Sequence, residues 1–424
     1  MLLSSILDLY RLKRQQWLEK KELEEIQRKK LVTIVKHAYQ NVTYYRRLFD
    51  SAGIKPEDIR SVDDLTKVPI TRKQDIQRLS VGDVIARKID VNQCRKILTS
   101  GSSGTPLPVY LTKKDSGFYD MVWTRTFFEN GENLWDKIVD IRFRFPPKSW
   151  LEHYGIWRKT RVSALDDPRK QFEKIRWVRP DVIRADPYSL VTLARVVRQV
   201  GIDGINPRLV FTMGSLLDQH TRALIESALH TRVFDCYGTV ELGCMAWECS
   251  ARAGYHINID TFVVEFIKDG EVVGKGEKGK IVCTGLHSFA MPFIRYDIGD
   301  VGIASEEGCS CGRGLPLLKN LEGRADDFFI TPDGTLISPW VIIDEIKFIS
   351  GISEYRITQD SETKITAQVV LHESTSLETV RQIKRTMTVI MGDDLDIRVE
   401  VVDEMPPDHS GKIRCIISNV KKGF

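Results

Sequence analysis

Thr99-Ser100-Gly101-Ser102-Ser103-Gly104-Thr105-Pro106 runs for eight residues without a large side chain or a charge. Hydroxyls and free N–H groups in a tight turn make a concavity suited to phosphate oxygens, and glycine lets a ligand approach the backbone. The same composition serves a flexible linker equally well. Four further segments follow it in order. Tyr237-Gly238-Thr239-Val240-Glu241 sets a flat aromatic and a Gly, able to receive a heteroaromatic base, before a carboxylate able to hold Mg²⁺. Its alternative is a turn before a capped helix. Pro292-Phe293-Ile294-Arg295-Tyr296-Asp297-Ile298-Gly299-Asp300 ends in a carboxylate that could accept from two ribose hydroxyls, or forms a plain hairpin turn. Gly323-Arg324-Ala325-Asp326-Asp327 is a charged cluster, otherwise a surface knot of salt bridges. Near the C-terminus, Lys412 follows Gly411, where its ammonium is a point charge for a carboxylate or phosphate or simply faces solvent.

A second constellation offers softer ligands. Cys249 and His256 lie in one segment, and Cys309 and Cys311 form a Cys-x-Cys in another. Three thiolates and an imidazole are a standard tetrahedral zinc set. The spacing matches no compact finger, so four unrelated reduced side chains are the competing reading. Four protein ligands would make such a metal structural, with Cys244 as a spare thiol; if both segments flank the β-rich region after Glu241, it would staple two loops beside the Glu241 segment. Trp123, Phe127, Phe128, Phe143 and Phe145 follow the Gly/Ser run, either as core or as the wall of a substrate pocket. Arg142 and Arg144 alternate with Phe143 and Phe145, so a strand would turn both arginines to one face, toward a second anionic group on the substrate.

These residues need elements that bring distant segments together. Strands are expected on both sides of the Gly/Ser run, at 97–98 and 109–111. From 175 to 240, strand-like 180–183, 209–212 and 233–236 alternate with helical 190–200, ended by Gly201, and 218–229, opened by Asp218. That alternation predicts a doubly wound α/β core, with ligands beyond the carboxyl ends of its strands, where Gly214 and Tyr237-Gly238 fall. Residues 14–50 read as exposed helix, 257–304 as β-rich, and the tail as a small α+β unit. The expected domains are 1–325 and 326–424.

The 424-residue chain is too long for one core, and its 42% hydrophobic and 28% charged residues are ordinary for a folded protein. A net charge of +4, from 62 basic and 58 acidic residues, makes no case for nucleic acid or an anionic membrane. The first residues lack a cationic start, and no stretch approaches the roughly 18 apolar residues of a membrane span. Eight scattered cysteines suit a reducing, cytoplasmic setting.

Taken in order, the five segments resemble the adenylate-forming superfamily of acyl- and aryl-CoA ligases, adenylation domains and luciferases. His37-Ala38-Tyr39-Gln40-Asn41-Val42-Thr43-Tyr44-Tyr45, Val68-Pro69-Ile70-Thr71-Arg72-Lys73 and Cys309-Ser310-Cys311-Gly312-Arg313-Gly314-Leu315-Pro316 are similar to its phenylacetate–CoA ligase branch, with CapK-like and coenzyme F390 synthetase-like members. The resemblance implies a large N-terminal domain, of α/β subdomains plus a β-rich subdomain, and a small mobile C-terminal domain turning about Asp326. It implies ATP-dependent activation of an aryl or acyl carboxylate as an acyl-AMP, with transfer to CoA, an amine or a hydroxyl. Thr99, Ser100, Gly101, Ser102, Ser103, Gly104 and Thr105 would hold the β- and γ-phosphates. Gly214 and Tyr237 would flank the adenine, with Gly238 and Thr239 beside them. Glu241 would ligate Mg²⁺, Asp300 with Arg324 would hold the ribose, and Lys412 would be the main adenylation catalyst, aided by Glu241 and Arg324. Relatives in the branch sometimes show a similar Cys/His set and are often homodimers. Three departures stand out: Thr105 and Leu107 fall where many members carry a Lys, and Ser215 where an acidic residue is common. Residues 328–334 lack the Arg-Gly or Lys-x-x-Gly pattern of typical thiol tunnels. Two rival readings are an F390-type adenylyltransferase and a catalytically silent scaffold. A scaffold has no physical need for Glu241, Asp300, Arg324 and Lys412 together.

Overall fold

The computed structural model describes residues 2–99, 107–142, 145, 152, 157–164, 166–324, 328–332, 336–337, 342, 345–346, 349–371, 377–392, 395–405 and 414–420. Residues 100–106, Phe143, Arg144, Asp326 and Lys412, with the side chain of Arg324, lie outside the described residues.

Leu2–Gln15 (α1), Lys20–Asn41 (α2) and Thr43–Ser51 (α3) open the chain. In α2, Leu23, Gln27, Leu31, Ile34, Val35 and Ala38 recur at helical spacing and are buried, while Lys20, Lys21, Glu22 and Lys29 are exposed. Arg95–Leu98 (β1) and Pro108–Leu111 (β2) pair antiparallel, from Arg95↔Leu111 to Leu98↔Pro108, so the two ends of the Gly/Ser run are held together. Lys113–Glu129 (α4) follows, its first turn capped by Thr112.

The α/β core consists of Ile138–Arg142 (β3), Lys159–Ser163 (β4), Pro168–Val178 (α5), Val182–Ala185 (β5), Pro187–Val200 (α6), Leu209–Met213 (β6), Gln219–Leu229 (α7) and Val233–Thr239 (β7). Its strands run parallel in the order β4-β3-β5-β6-β7. Asp167, Asp186 and Asp218 cap the three helices, and Gly201 ends α6 at φ +90°. Alternate strand residues part to opposite faces. Val139, Ile141, Ile183, Val210 and Val233 pack with α5, α6 and α7. Ile138, Val182, Leu209, Phe211 and Phe234 meet Tyr119, Val122 and Phe127 of α4. The doubly wound expectation holds for this half.

The sheet does not stop at β7. Gly243–Glu248 (β8), Tyr255–Ile257 (β9), Phe262–Lys268 (β10), Glu271–Val272 (β11), Lys278–Gly285 (β12), Tyr296–Ala304 (β13) and Leu317–Arg324 (β14) extend it to twelve strands, in the order β7-β8-β9-β14-β13-β12-β10-β11. The α/β and β-rich regions are therefore two halves of one sheet. Leu31, Ile34, Tyr45 and Phe49 of α2 and α3 cover the antiparallel half against Val263, Leu286 and Ile294.

Past Phe329–Ile330 (β15) and Leu336–Ile337 (β16), a separate sheet forms from Ile352–Ser361 (β17), Lys364–Leu371 (β18), Asp396–Val401 (β19) and Ile416–Ser418 (β20), in the order β19-β18-β17-β20. Leu377–Met391 (α8) lays Ile383 and Met387 on its Ile357, Ile365 and Val369. Leu216, just past β6, packs on this second core, and Arg195 of α6 pairs with Glu354 of β17 at 2.5 Å. The second unit thus rests near the carboxyl end of β6. Among the described residues, no helix is long and apolar enough to cross a membrane.

Candidate active site

Tyr237 and Gly238 are not past the end of a strand, as 233–236 alone suggests. β7 runs on to Thr239 and folds back as β8, pairing Gly238 with Cys244 and Thr239 with Gly243. The turn is a hairpin, not the start of a capped helix. Its tightness rests on glycine: a Cβ on Gly238 would lie 2.4 Å from the Gly243 carbonyl oxygen. Thr239 Oγ1 accepts from Leu242 N at 3.2 Å and closes the turn. Glu241, in that turn, is only 9% exposed. Its backbone carbonyl accepts from the Tyr119 hydroxyl at 3.1 Å, and its carboxylate accepts from the Tyr296 hydroxyl at 3.0 Å. Burial pushes the Tyr119 hydroxyl well above the usual phenol range, so it stays a neutral donor.

β13 supplies the other wall. Between its pairings Val282↔Asp297 and Lys280↔Val301 the register shifts by a bulge, with Gly299 at φ +81° and its N–H on Asp297 Oδ1 at 2.9 Å. This local kink presents Asp300, which accepts from the Tyr237 hydroxyl at 2.8 Å. Across the sheet Asp300 stands opposite Arg324. A flat ring, a carboxylate and the Arg324 position, drawn from segments 63 and 24 residues apart, therefore share one rim with Glu241. Gly214, at φ +88°, leaves β6 near the same edge. In sequence, Tyr296 has no assigned role and Tyr119 carries no signal at all. Only the four-residue spacing from Tyr296 to Asp300 hinted at the first.

At the Gly/Ser run, Thr99 N donates to Leu107 O at 3.1 Å, and Thr99 Oγ1 accepts from Leu107 N at 2.9 Å. Thr99 thus carries the pairing of β1 with β2 one residue further. Of the pocket aromatics, Phe127 is core: it meets Phe211 edge-on at 4.9 Å, and the Arg184 guanidinium lies 3.7 Å from its ring centroid. Trp123 stacks on Phe127 at 5.7 Å, Phe128 is edge-on to Trp157 at 5.9 Å, and the Arg161 guanidinium sits 5.7 Å from Phe145. Arg142 ends β3, bonded to Asp140 at 2.6 Å and 3.6 Å from the Met213 sulfur, beside Gly214.

Cys249, His256, Cys309 and Cys311 do converge. Their ligand atoms all lie within 4.8 Å of one another, with Cys249 Sγ to Cys309 Sγ at 3.6 Å and Cys311 Sγ to His256 Nε2 at 3.3 Å. Zinc–sulfur bonds of about 2.3 Å make a tetrahedron with edges of about 3.8 Å, so the donor set fits the ion. Burial holds the imidazole down to about 4, keeping it neutral as a ligand must be. Burial pushes the Cys309 thiol up to about 12; at Cys311 it acts the same way but is outweighed by the N–H and guanidinium of Arg313. The cluster does not lie beside the Glu241 segment, the place it would take if both segments flanked the β-rich region there. Cys249 follows the far end of β8, and Glu241 lies before its near end, six strand residues or roughly 20 Å away. Cys244 is no spare ligand either: its thiol lies 3.4 Å from Thr126 Oγ1, and burial raises it to about 12.

Comparison with known proteins extends this geometry. Residues 329–419 match the family model of the CapK C-terminal domain. The phenylacetate–coenzyme A ligase of Escherichia coli (strain K12) is 31% identical over 350 residues, 79% of this chain and 78% of its own. The postadenylation form of 2-hydroxyisobutyryl-CoA ligase superposes with a TM-score of 0.81 at 22% identity, covering 96% of this chain and 91% of that one. Its thioesterification form, with adenylate and CoA, gives 0.65 at 20% identity, covering 96% and 91%. The chain belongs to the phenylacetate–coenzyme A ligase branch of the adenylate-forming superfamily and is an ATP-dependent adenylate-forming ligase.

Proposed function

We propose that this ligase activates an aryl or acyl carboxylate in the cleft between the carboxyl edge of the parallel strands and the C-terminal unit, and passes the acyl group to coenzyme A. The observation that carries the assignment is the Tyr237–Asp300 hydrogen bond, which joins a flat aromatic face to a carboxylate whose partner across the sheet is Arg324. The substrate carboxylate attacks the α-phosphorus and pyrophosphate leaves, so the protein's work is alignment and neutralisation of developing charge. Residues 99–105 cradle the β- and γ-phosphates. Lys412 brings positive charge to the carboxylate and the α-phosphate. Glu241, steadied by Tyr296 and Tyr119, offers the oxygen ligand for Mg²⁺, which supplies charge to the pyrophosphate. Cys249, His256, Cys309 and Cys311 hold a structural zinc. Residues 326–424 form the mobile domain, and the chain superposes better on the postadenylation form of that ligase than on its thioesterification form. CoA as acceptor is supported by the names of the relatives, although 328–334 lacks the usual tunnel pattern.

The test is pyrophosphate release with ATP, Mg²⁺ and a panel of carboxylic acids, for wild type and Lys412→Ala. Turnover is expected with at least one acid and lost in the variant. Equal turnover in both would remove Lys412 from the mechanism. Mass spectrometry after adding CoA or hydroxylamine then separates thioester formation from a stable AMP adduct.

A further inference from the structure

Two tryptophans project into solvent at one end of the molecule: Trp135 is 78% and Trp177 85% exposed. Topology says which end. Each helix in a parallel β-α-β unit runs back against its strands, so α5 and α6 finish beside the strands' amino ends. Trp177 and Val200, the latter 52% exposed, lie in the last turns of those helices. Trp135 precedes β3 at the same edge, where Lys137 O accepts from Asp181 N at 2.9 Å and Asp181 O accepts from Arg208 N at 2.9 Å. The nucleotide cleft lies at the opposite edge.

The charges at this edge are one-sided. Arg158, Lys137, Arg208 and Arg232 lead into β4, β3, β6 and β7, a row roughly 19 Å long at the usual strand spacing, and all are exposed. Arg176, Arg179 and Arg198 are exposed at the helix ends. Among the described residues, Arg252 joins these seven cations, and against them stand Asp136, Asp181, Asp203, Glu173 and Glu226, of which Asp136 pairs with Arg208, Glu173 with Arg176 and Glu226 with Arg252. The near-balanced charge of the whole chain conceals this excess.

We propose that this edge docks on an anionic lipid surface. Tryptophan suits the headgroup layer, where its ring is half solvated, and clustered Lys and Arg are drawn to acidic lipids. A protein-binding hot spot packs such anchors amid near-continuous apolar contact. Here the two rings rise between charged side chains. Docking by this edge leaves the cleft open to the aqueous side.

The experiment is co-sedimentation of the full chain with vesicles of phosphatidylcholine alone or mixed with phosphatidylglycerol, for wild type, Trp135→Ser/Trp177→Ser and Arg179→Glu/Arg198→Glu. Wild type should bind the anionic vesicles and not the neutral ones, more weakly as salt rises. Each double variant should bind about tenfold less or weaker still. Unchanged circular dichroism shows that the variants fold. Equal binding to both vesicles, no binding, or full binding by the tryptophan variant overturns the proposal. Binding to polyglutamate without binding to vesicles overturns it in favour of an acidic protein partner.

Discussion

The Tyr237 hydroxyl donates to Asp300, and that contact ties the aromatic wall to the carboxylate proposed to face the ribose. Tyr237→Phe keeps the ring and removes one hydrogen bond, a change of about 1 kcal/mol. The expected outcome is roughly a fivefold rise in KM for ATP with kcat within about twofold, read from pyrophosphate release at varied ATP. A large fall in kcat at saturating ATP would instead place the hydroxyl at the reacting phosphate. Gly238 makes a different demand, because its missing side chain faces a backbone carbonyl that has no room to yield. Gly238→Ala should destabilise the fold by about 2–3 kcal/mol in urea unfolding. Gly270→Ala, with nothing within 4 Å but φ at +86°, should cost only about 1 kcal/mol. Tyr237, Glu241 and Asp300 stand out in sequence by their types and local spacing, and the fold brings them to one rim. Gly238 was read only as part of a ligand site, because its structural reason lies across a hairpin that no local pattern announces.

At the scale of elements, the strands and helices of 180–240 were legible because apolar runs alternate with capped helical segments. The union of both halves into one sheet was not, since pairing of β9 with β14 brings together residues about sixty positions apart. The same hidden pairing decides where the cysteines sit: their types suggest a metal set, but only the β7–β8 hairpin shows that they lie far from Glu241. The zinc assignment predicts a stapling role. Cys311 is followed by Arg313, whose guanidinium lies between Trp17 and Trp247 at 4.5 and 5.1 Å, and Gly314 N bonds Gln16 O. Chelation, or Cys309→Ser, should lower Tm by about 5 °C or more and shift tryptophan emission, with zinc counted by mass spectrometry. A zinc-free protein with the same Tm would refute it. A buried carboxyl makes a second element-scale prediction. Burial first, then the Glu248 charge, raises Asp235 to about 6, while Thr212 and Tyr255 donate to it. A carboxyl raised on folding holds its proton better when folded, so its contribution is complete below its unfolded value of 3.8 and is lost as pH rises through about 6. Asp235→Asn, a mimic of the neutral acid, should gain on wild type by about 2 kcal/mol between about pH 4 and pH 7.5 in urea unfolding. Parallel pH profiles would show that the site is not titrating.

For the whole molecule, the question is what holds the second unit where it rests. Among the described residues, it meets the first at Leu216 on the apolar side, at Lys278 over the Phe328 ring, and through Arg195 paired with Glu354. Both partners of the ion pair keep some solvent, 34% and 21% by side chain, so screening limits it to about 1 kcal/mol or less. That is small for stability but large for a balance between two domain arrangements, where about 1 kcal/mol is a fivefold shift in population. Arg195→Ala should therefore leave Tm nearly unchanged and slow the adenylation half-reaction by up to about fivefold. Thioester formation from preformed acyl-adenylate should be unaffected or faster, if the proposed domain motion gives that step the other arrangement. Glu354→Gln should reproduce the effect, and the double variant should add little, since both remove one interaction. ATP–pyrophosphate exchange and single-turnover thioester formation measure the two halves separately. Equal slowing of both would mean that the pair supports the cleft itself and does not bias the orientation of the domain above it.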